Sequence, residues 1–141
     1  MALEIKNIMQ KQPIYMNENA TVYDGAKKMS EANKGSILLG EPASLKGIIT
    51  ERNIIKAIAE GKKLDTSLGN VATKENLIFI HEDDSITKAA VLMSKHNIRH
   101  LIVKSSSGAV SGILSTRDLM RESQTLKELA NVKNSDWFGS D

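Results

Sequence analysis

Two short segments of the sequence carry residue types that could hold a phosphorylated sugar. They are Thr50-Glu51-Arg52-Asn53 and Ser115-Thr116-Arg117-Asp118, and each follows an apolar run. The hydroxyl and the arginine could donate hydrogen bonds to a phosphate, and the Asp or Asn could accept bonds from two neighbouring sugar hydroxyls. The same residues would also make an ordinary helix start, in which the hydroxyl caps free backbone N–H groups. Both interpretations stay open, and they are compatible.

Both segments belong to an internal repeat. Segments 47–53 and 112–118 each read as Gly, two aliphatic residues, Thr or Ser, two further residues, then Asn or Asp. Upstream of each lies a helix face with apolar residues at i, i+4 and i+7: Val22, Ala26 and Met29 in the first copy, and Ile86, Ala90 and Met93 in the second. Matching segments in the same order indicate two related units.

Each copy predicts the element order β-α-β-β-α. The predicted first strands are 13–16 and 77–80, the helices 21–33 and 85–97, and the second strands 36–39 and 99–104. The turns that follow are predicted around Gly40-Glu41-Pro42 and residues 105–108. Third strands should end at Thr50 and Ser115, and second helices should start immediately afterwards. The first of these should stop near Glu60, with Gly61 as its C-terminal cap.

The fold class expected from this order is α+β. A unit of about sixty residues without a disulfide or metal buries little apolar surface, so the two units should pack on each other and form a cleft where a ligand would bind. We predict a first repeat at 5–66, a second repeat at 67–122, and a C-terminal helical extension and tail at 123–141. In that tail, Leu126, Leu129 and Val132 could prolong the last helix, and Trp137 and Phe138 could pack on a partner.

Composition narrows the possible functions. The 141 residues contain no cysteine, which excludes thiolate chemistry. Their net charge of +2 is too small to attract nucleic acid strongly. His81, His96 and His100 lack a metal-ligand spacing, because the helix that holds His96 should end before His100. No phosphate loop, nucleophile motif or membrane-length apolar run appears. We therefore expect a cytoplasmic protein that is not an enzyme, with no metal and no catalytic residues.

At this point the chain resembles tandem CBS-domain proteins, whose paired domains are called a Bateman module. The resemblance covers about residues 5–122. It is carried by the doubled junction motif, the strand Arg99-His100-Leu101-Ile102-Val103 and the helix from Thr21 to Asn33. It implies two CBS-type repeats packed about a pseudo-twofold axis and a regulatory module that binds AMP, ADP, ATP or S-adenosylmethionine between them. It also implies a homodimer and a separate effector protein.

The resemblance further implies two sites, each built from both repeats. One would combine Ser115, Arg117 and Asp118 with Ala20, Gly35, Ser36 and Ile37. The mirror site would combine Thr50, Arg52 and Asn53 with Asp84, Arg99, His100 and Leu101. Asp118 would hold the ribose, Ser115 and Arg117 would face the phosphate, and the backbone near Ser36 would receive the adenine. Asn53 stands where the family usually has Asp, so we expect the Asp118 site to be the better ribose binder.

Two other functions remain open from the sequence. Lysines such as Lys27, Lys28, Lys62 and Lys63 could form a nucleic-acid-binding patch, although few aromatic residues accompany them. Alternatively, the repeats could form a purely structural dimerisation module whose cleft is filled by side chains. A nucleotide-binding regulator is the leading interpretation.

Overall fold

Two sheets with the same topology organise the chain. The computed structural model describes residues 3–122, 127 and 129–132. In the first repeat, β1 (Tyr15–Met16) is followed by α1 (Val22–Ala32), β2 (Ser36–Glu41), β3 (Ser44–Thr50) and α2 (Glu51–Ala59). β1 pairs with β2 in parallel and β2 pairs with β3 in antiparallel fashion.

The second repeat has the same elements in the same order. They are β4 (Phe79–His81), α3 (Ile86–His96), β5 (His100–Lys104), β6 (Val110–Ser115) and α4 (Thr116–Met120). Strand pairing is again parallel and then antiparallel, in the order β4-β5-β6. The predicted α+β class and the doubled β-α-β-β-α order are therefore confirmed.

Local residue choices explain where the helices end. Asn33 and Asn97, which match in the repeat, both take a left-handed conformation at φ 52° after α1 and α3. Asn tolerates this region better than most residues. Gly61 follows α2 at φ 79°, and the amide of Lys62 bonds back to the carbonyl of Ala57 at 3.0 Å. The predicted glycine stop is confirmed.

One predicted turn is displaced. We expected the chain to reverse around Gly40-Glu41-Pro42, but β2 continues through Glu41 and the turn lies at residues 42–43. A register shift between Leu39 and Gly40, with Gly40 at φ 102°, bends β2 without ending it. A glycine at positive φ can mark a bulge as well as a turn, and here pairing with β3 continues beyond it.

Two short 3-10 helices, Ile5–Asn7 and Leu68–Asn70, have no counterpart in the predicted element order. They lie within stretches that precede β1 and β4, residues 3–12 and 66–75, which we call the first and second leading segments. Each contributes a fully buried apolar residue, Ile5 or Leu68, to a hydrophobic core. Burying a large aliphatic side chain contributes about 1.5–3 kcal/mol, which helps to hold each segment against its core.

The leading segments determine how the chain divides into compact units. Residues 3–12 join the described residues from 78 onward in one unit, the split unit, and Pro13–Leu77 form the other, the continuous unit. Ile5 therefore packs with Ile86, Leu101 and Leu114 of the second repeat. Leu68 packs with Ile37 and Ile49 of the first repeat. The first leading segment, which precedes β1 of the first repeat, thus belongs to the same unit as the second repeat. The second leading segment, which precedes β4 of the second repeat, belongs to the same unit as the first repeat.

The tail is described only in part. Leu129 is partly buried against the core of the split unit. Leu126, Trp137 and Phe138, which we singled out from the sequence, lie outside the described residues.

Candidate functional site

The Ser115–Asp118 junction joins β6 to α4 and is closed by reciprocal hydrogen bonds. The backbone N–H of Ser115 donates to Asp118 Oδ2 at 2.8 Å, and the N–H of Asp118 donates to Ser115 Oγ at 3.2 Å. This is a capping box, so the interpretation of the motif as a helix start is confirmed. Because Ser115 Oγ accepts in this arrangement, the hydroxyl proton remains available for another acceptor.

Burial makes this carboxylate unusual for a short surface helix. Asp118 is only 7% exposed and Ser115 only 8%. Gln10 of the first leading segment donates from Nε2 to Asp118 Oδ2 at 3.1 Å. The hydrogen bonds from the Ser115 backbone and from the Gln10 side chain therefore both reach Oδ2 of Asp118. A carboxylate offers roughly four acceptor positions on its two oxygens, so the group keeps acceptor capacity for a ligand.

The Thr50–Asn53 junction has a different internal arrangement. Asn53 Oδ1 accepts from the backbone N–H of Thr50 at 2.8 Å and from the Thr50 hydroxyl at 2.9 Å. Asn53 Nδ2 donates to the carbonyl of Val71 at 3.0 Å and to Thr73 Oγ1 at 3.2 Å. A primary amide has two lone pairs and two N–H donors, and all of them are used here. A ribose could bind Asn53 only by displacing one of these partners.

Strand pairing brings other predicted site residues beside each junction. His100 is the register partner of Ser115, and the amide of Thr116 donates to the carbonyl of Arg99 at 2.9 Å. In the continuous unit, Ser36 is the register partner of Thr50, and the amide of Glu51 donates to the carbonyl of Gly35 at 3.1 Å. Each junction thus lies next to the residues that the sequence assigned to the opposite site.

Side-chain exposure separates the roles that these residues could have. Arg52, Arg99 and Arg117 are exposed, so their guanidinium groups can reach an anion at the surface. Ile37 and Leu101 are fully buried within their own cores, and they could offer a ligand only backbone groups. The combination of residues from both repeats into one site stays a prediction.

Ala20 and Asp84 occupy matching positions just before α1 and α3. Their carbonyls accept from the leading segments, Ala20 from the amide of Leu68 at 2.7 Å and Asp84 from the amide of Ile5 at 3.0 Å. Burial raises the pKa of the Asp84 carboxyl, but bonds from the backbone N–H of His81 and the Lys88 ammonium outweigh it and hold the pKa below the ordinary 3.8. Asp84 is therefore ionised at neutral pH.

An ion pair also links the first leading segment to the residues just before α3. Lys6 Nζ lies 2.8 Å from Asp83 Oδ1 on the surface. The hydrogen bond from Lys6 lowers the pKa of Asp83, and the same bond raises the pKa of Lys6. Both groups stay charged near neutral pH, which favours the docked position of residues 3–12.

Sequence reasoning missed Gln10 and Thr73, the residues that contact Asp118 and Asn53 from the leading segments. The doubled motif contained a partial signal, because Gly47 and Gly112 stand at its first position. A Cβ at Gly112 would lie 2.6 Å from the carbonyl oxygen of Gln10, and one at Gly47 would lie 2.9 Å from that of Thr73. These glycines permit a close backbone neighbour, whose identity the motif alone does not reveal.

Two features are absent from the described residues, a metal-binding cluster and a helix of membrane-spanning type. Within 3–122, 127 and 129–132, no group of three or more His, Asp or Glu side chains is arranged to hold a metal ion. Across that same part of the chain, every helix falls short of the length and hydrophobicity that a bilayer crossing requires.

Comparison with known proteins places this geometry in a family. The CBS domain model matches residues 5–60 and 68–125. A CBS domain protein from Pyrobaculum aerophilum, solved with AMP, superposes with a TM-score of 0.83 at 29% identity, covering 92% of this chain and 100% of that one. The CBS domain pair of protein MJ0100, solved with 5′-methylthioadenosine and S-adenosylmethionine, has a TM-score of 0.76 at 30% identity and covers 86% and 95% of the two chains.

One relative is much longer than this chain. L-aspartate semialdehyde sulfurtransferase of Methanocaldococcus jannaschii is 33% identical over 118 residues, which are 83% of this chain and only 22% of that protein. The match there is confined to a small part of an enzyme. Two matched domains, the doubled sheet topology and the doubled junction all agree: the chain belongs to the CBS-domain family and carries two CBS domains in tandem.

Proposed function

We propose that this chain is a non-catalytic regulatory module that binds an adenosine nucleotide of the AMP, ADP and ATP class, or S-adenosylmethionine, through the Asp118 junction. The observation that carries the proposal is the buried Asp118 carboxylate, whose described partners occupy Oδ2 and leave acceptor capacity for the two hydroxyls of a ribose. Solved CBS pairs bound to AMP, 5′-methylthioadenosine and S-adenosylmethionine support it, since these ligands share an adenosine moiety.

We assign the phosphate or other 5′ substituent to Ser115 and Arg117. Ser115 Oγ accepts from the backbone N–H of Asp118, so its own proton is available to donate to a phosphate oxygen. Arg117 is exposed one residue before Asp118 and carries a charge that attracts an anion. Ala20, Gly35, Ser36 and Ile37 would supply the adenine side of this site, as the family resemblance implies.

We further propose one ligand per chain. The Asn53 junction, with Thr50 and Arg52, satisfies its own amide completely. Binding a ribose there would break a hydrogen bond for each one gained, and it would lack the charge assistance that a carboxylate gives. The mirror site with Asp84, Arg99, His100 and Leu101 should therefore bind adenosine ligands weakly.

Titration calorimetry of the full chain against AMP, ADP, ATP and S-adenosylmethionine tests the proposal. At least one compound should bind at one equivalent, and Asp118→Asn should weaken it about tenfold or more, because a charge-assisted bond contributes about 1.5–3 kcal/mol. The bound compound should also raise the melting temperature, since it stabilises only the folded state. Absence of heat with all of these compounds would overturn the proposal.

Asp24→Asn is the matched control. Asp24 closes a capping box with Thr21 at the start of α1, with an N–H to Oδ2 distance of 3.3 Å, but it is exposed. The two substitutions remove the same charge from the same helix position. If both reduced ligand affinity equally, the loss would reflect helix capping, and Asp118 would have no special part in binding.

We also propose that the chain forms a homodimer and acts on a separate effector protein. Among the described residues, the large exposed hydrophobic side chains concentrate in the continuous unit: Tyr23, Ile55, Ile58 and Leu64, against Met120 alone in the split unit. The backbone amide of Tyr23 donates to the carbonyl of Leu64 at 3.0 Å, so these two lie together. Clustered exposed apolar residues are typical of protein contact surfaces.

A further inference from the structure

The main chain fixes the place of Gln10 independently of its side chain. The amide of Gln10 donates to the carbonyl of Ile113 at 2.8 Å, and the amide of Ile113 donates back to Gln10 at 3.0 Å. This reciprocal pair aligns the first leading segment with β6, two residues before Ser115. The Gln10 side chain then reaches Asp118 Oδ2 at 3.1 Å.

Chemistry dictates which end of the Gln10 amide faces the carboxylate. An ionised carboxylate only accepts hydrogen bonds, so the NH₂ group must point toward Asp118. That choice directs Gln10 Oε1 into a buried position where it has no hydrogen-bond partner among the described residues. An unpaired buried acceptor is unfavourable. The contact with Asp118 therefore dominates the orientation of this side chain.

The corresponding contact in the continuous unit has the opposite polarity. The second leading segment pairs with β3 through Thr73 and Ile48, at 2.9 Å in both directions. Thr73 Oγ1 accepts from Asn53 Nδ2. The leading segment thus presents a donor to the carboxylate and an acceptor to the amide. Each partner matches the hydrogen-bonding capacity of the junction residue that it contacts.

We propose that Gln10 is a positioning residue for the ligand site: by holding Oδ2 of Asp118, it fixes the carboxylate so that its remaining acceptor positions meet the two ribose hydroxyls. This inference rests on the proposed function and adds a residue from outside the junction motif. A diol needs both acceptors in a fixed plane, whereas a single hydroxyl can bind a rotated carboxylate. Gln10 should therefore control the preference for a ribose over a 2′-deoxyribose.

The test compares AMP with 2′-deoxy-AMP by calorimetry on the full chain. The wild type should prefer AMP, and Gln10→Leu should reduce the ratio of the two affinities about five- to tenfold, the size expected for one well-placed hydrogen bond. Gln10→Lys keeps a donor facing the carboxylate and should preserve most of the ratio. If the leucine variant folds poorly, Gln10→Met removes the donor with a side chain of similar length and should reduce the ratio to the same extent.

Lys11→Ala is the control, because Lys11 is an exposed neighbour in the same segment. It should leave the ratio unchanged. If Gln10 only stabilises the fold, Gln10→Leu will lower the affinities for both nucleotides equally and leave their ratio at the wild-type value. That result overturns the positioning role of Gln10 and leaves the proposed function standing. A wild type that binds neither of these nucleotides, nor ADP, ATP or S-adenosylmethionine, overturns the proposed function as well. A wild type that binds both equally removes the diol role of Asp118.

Discussion

At the scale of single residues, the two junctions differ in how much hydrogen-bonding capacity remains. Asn53 uses both lone pairs and both N–H groups within the continuous unit. The Asp118 carboxylate accepts its described bonds at Oδ2. Asn53 therefore differs from Asp118 by more than its charge. It gives the first repeat a donor, Nδ2, that ties the junction to Val71 and Thr73.

We predict that restoring the acidic residue by Asn53→Asp destabilises the chain and creates no second ligand site. The new carboxylate oxygen would face the Val71 carbonyl, so two acceptors would meet where a donor now bonds. Loss of the bond and repulsion between the oxygens should lower the free energy of unfolding by about 1–3 kcal/mol. Urea denaturation measures this change.

Asn70→Asp provides the comparison, because Asn70 is exposed in the same unit and should alter stability by less than about 0.5 kcal/mol. An Asn53→Asp chain as stable as the wild type, with two equivalents of nucleotide bound, would contradict the hydrogen-bond argument.

At the scale of elements, the leading segments and the third strands depend on each other. Residues 3–12 lie against β6, and residues 66–75 lie against β3, each through a pair of backbone hydrogen bonds. Gly112 and Gly47 make room for these contacts. The glycine at the first position of the junction motif therefore allows a segment distant in sequence to pack against the strand. In the split unit, that segment brings Gln10 to Asp118.

Gly112→Ala should displace the first leading segment. The added Cβ would lie 2.6 Å from the Gln10 carbonyl oxygen and 2.8 Å from Met9 Sδ, and the backbone oxygen cannot move without breaking its pairing with Ile113. We expect a loss of about 1–3 kcal/mol, typical of overpacking, and faster hydrogen exchange at the Gln10 and Ile113 amides.

Ser111→Ala, one residue earlier in β6, removes only a 3.4 Å bond from Oγ to the Val103 carbonyl and should leave exchange at Gln10 unchanged. Slow, wild-type exchange at Gln10 in the Gly112→Ala chain would show that the segment does not need the glycine.

At the scale of the whole molecule, the chain passes from the split unit to the continuous unit after Gln12 and returns after Leu77. The split unit is thus assembled from both sides of an intervening one, and its hydrogen bonds include pairs as far apart as Gln10 and Asp118. Its formation depends on closing that long loop. The exposed apolar residues concentrate in the continuous unit, which we assign to contact with a second copy.

Ile58→Lys should weaken the homodimer. Ile58 is 57% exposed on α2, so a lysine there costs little in the folded monomer but places a charge in an apolar contact. Sedimentation velocity should show the wild type as a dimer and the variant shifted toward monomer. Lys56→Gln, an exposed change on the same helix, should leave the dimer intact. A monomeric wild type would refute this assignment.

The sequence by itself determined the repeat, the order of elements and the position of both junctions. Periodicity and capping are local, so the helix stop at Gly61 and the motif residues around Ser115 could be interpreted without knowing what lies beside them. The turn after β2 was placed too early by the same local reasoning, because a glycine can occupy a bulge as well as a turn.

Only the tertiary structure decided which residues complete the junctions. Gln10 and Asp118 are separated by 108 positions, and Thr73 and Asn53 come together through a strand contact that no local pattern encodes. Backbone hydrogen bonds between distant segments do not depend on which side chains the segments carry. A glycine therefore indicates that another backbone comes close, but the packing of the core determines which segment that is. That is why the motif could identify Asp118, while only the fold could show what holds it in place.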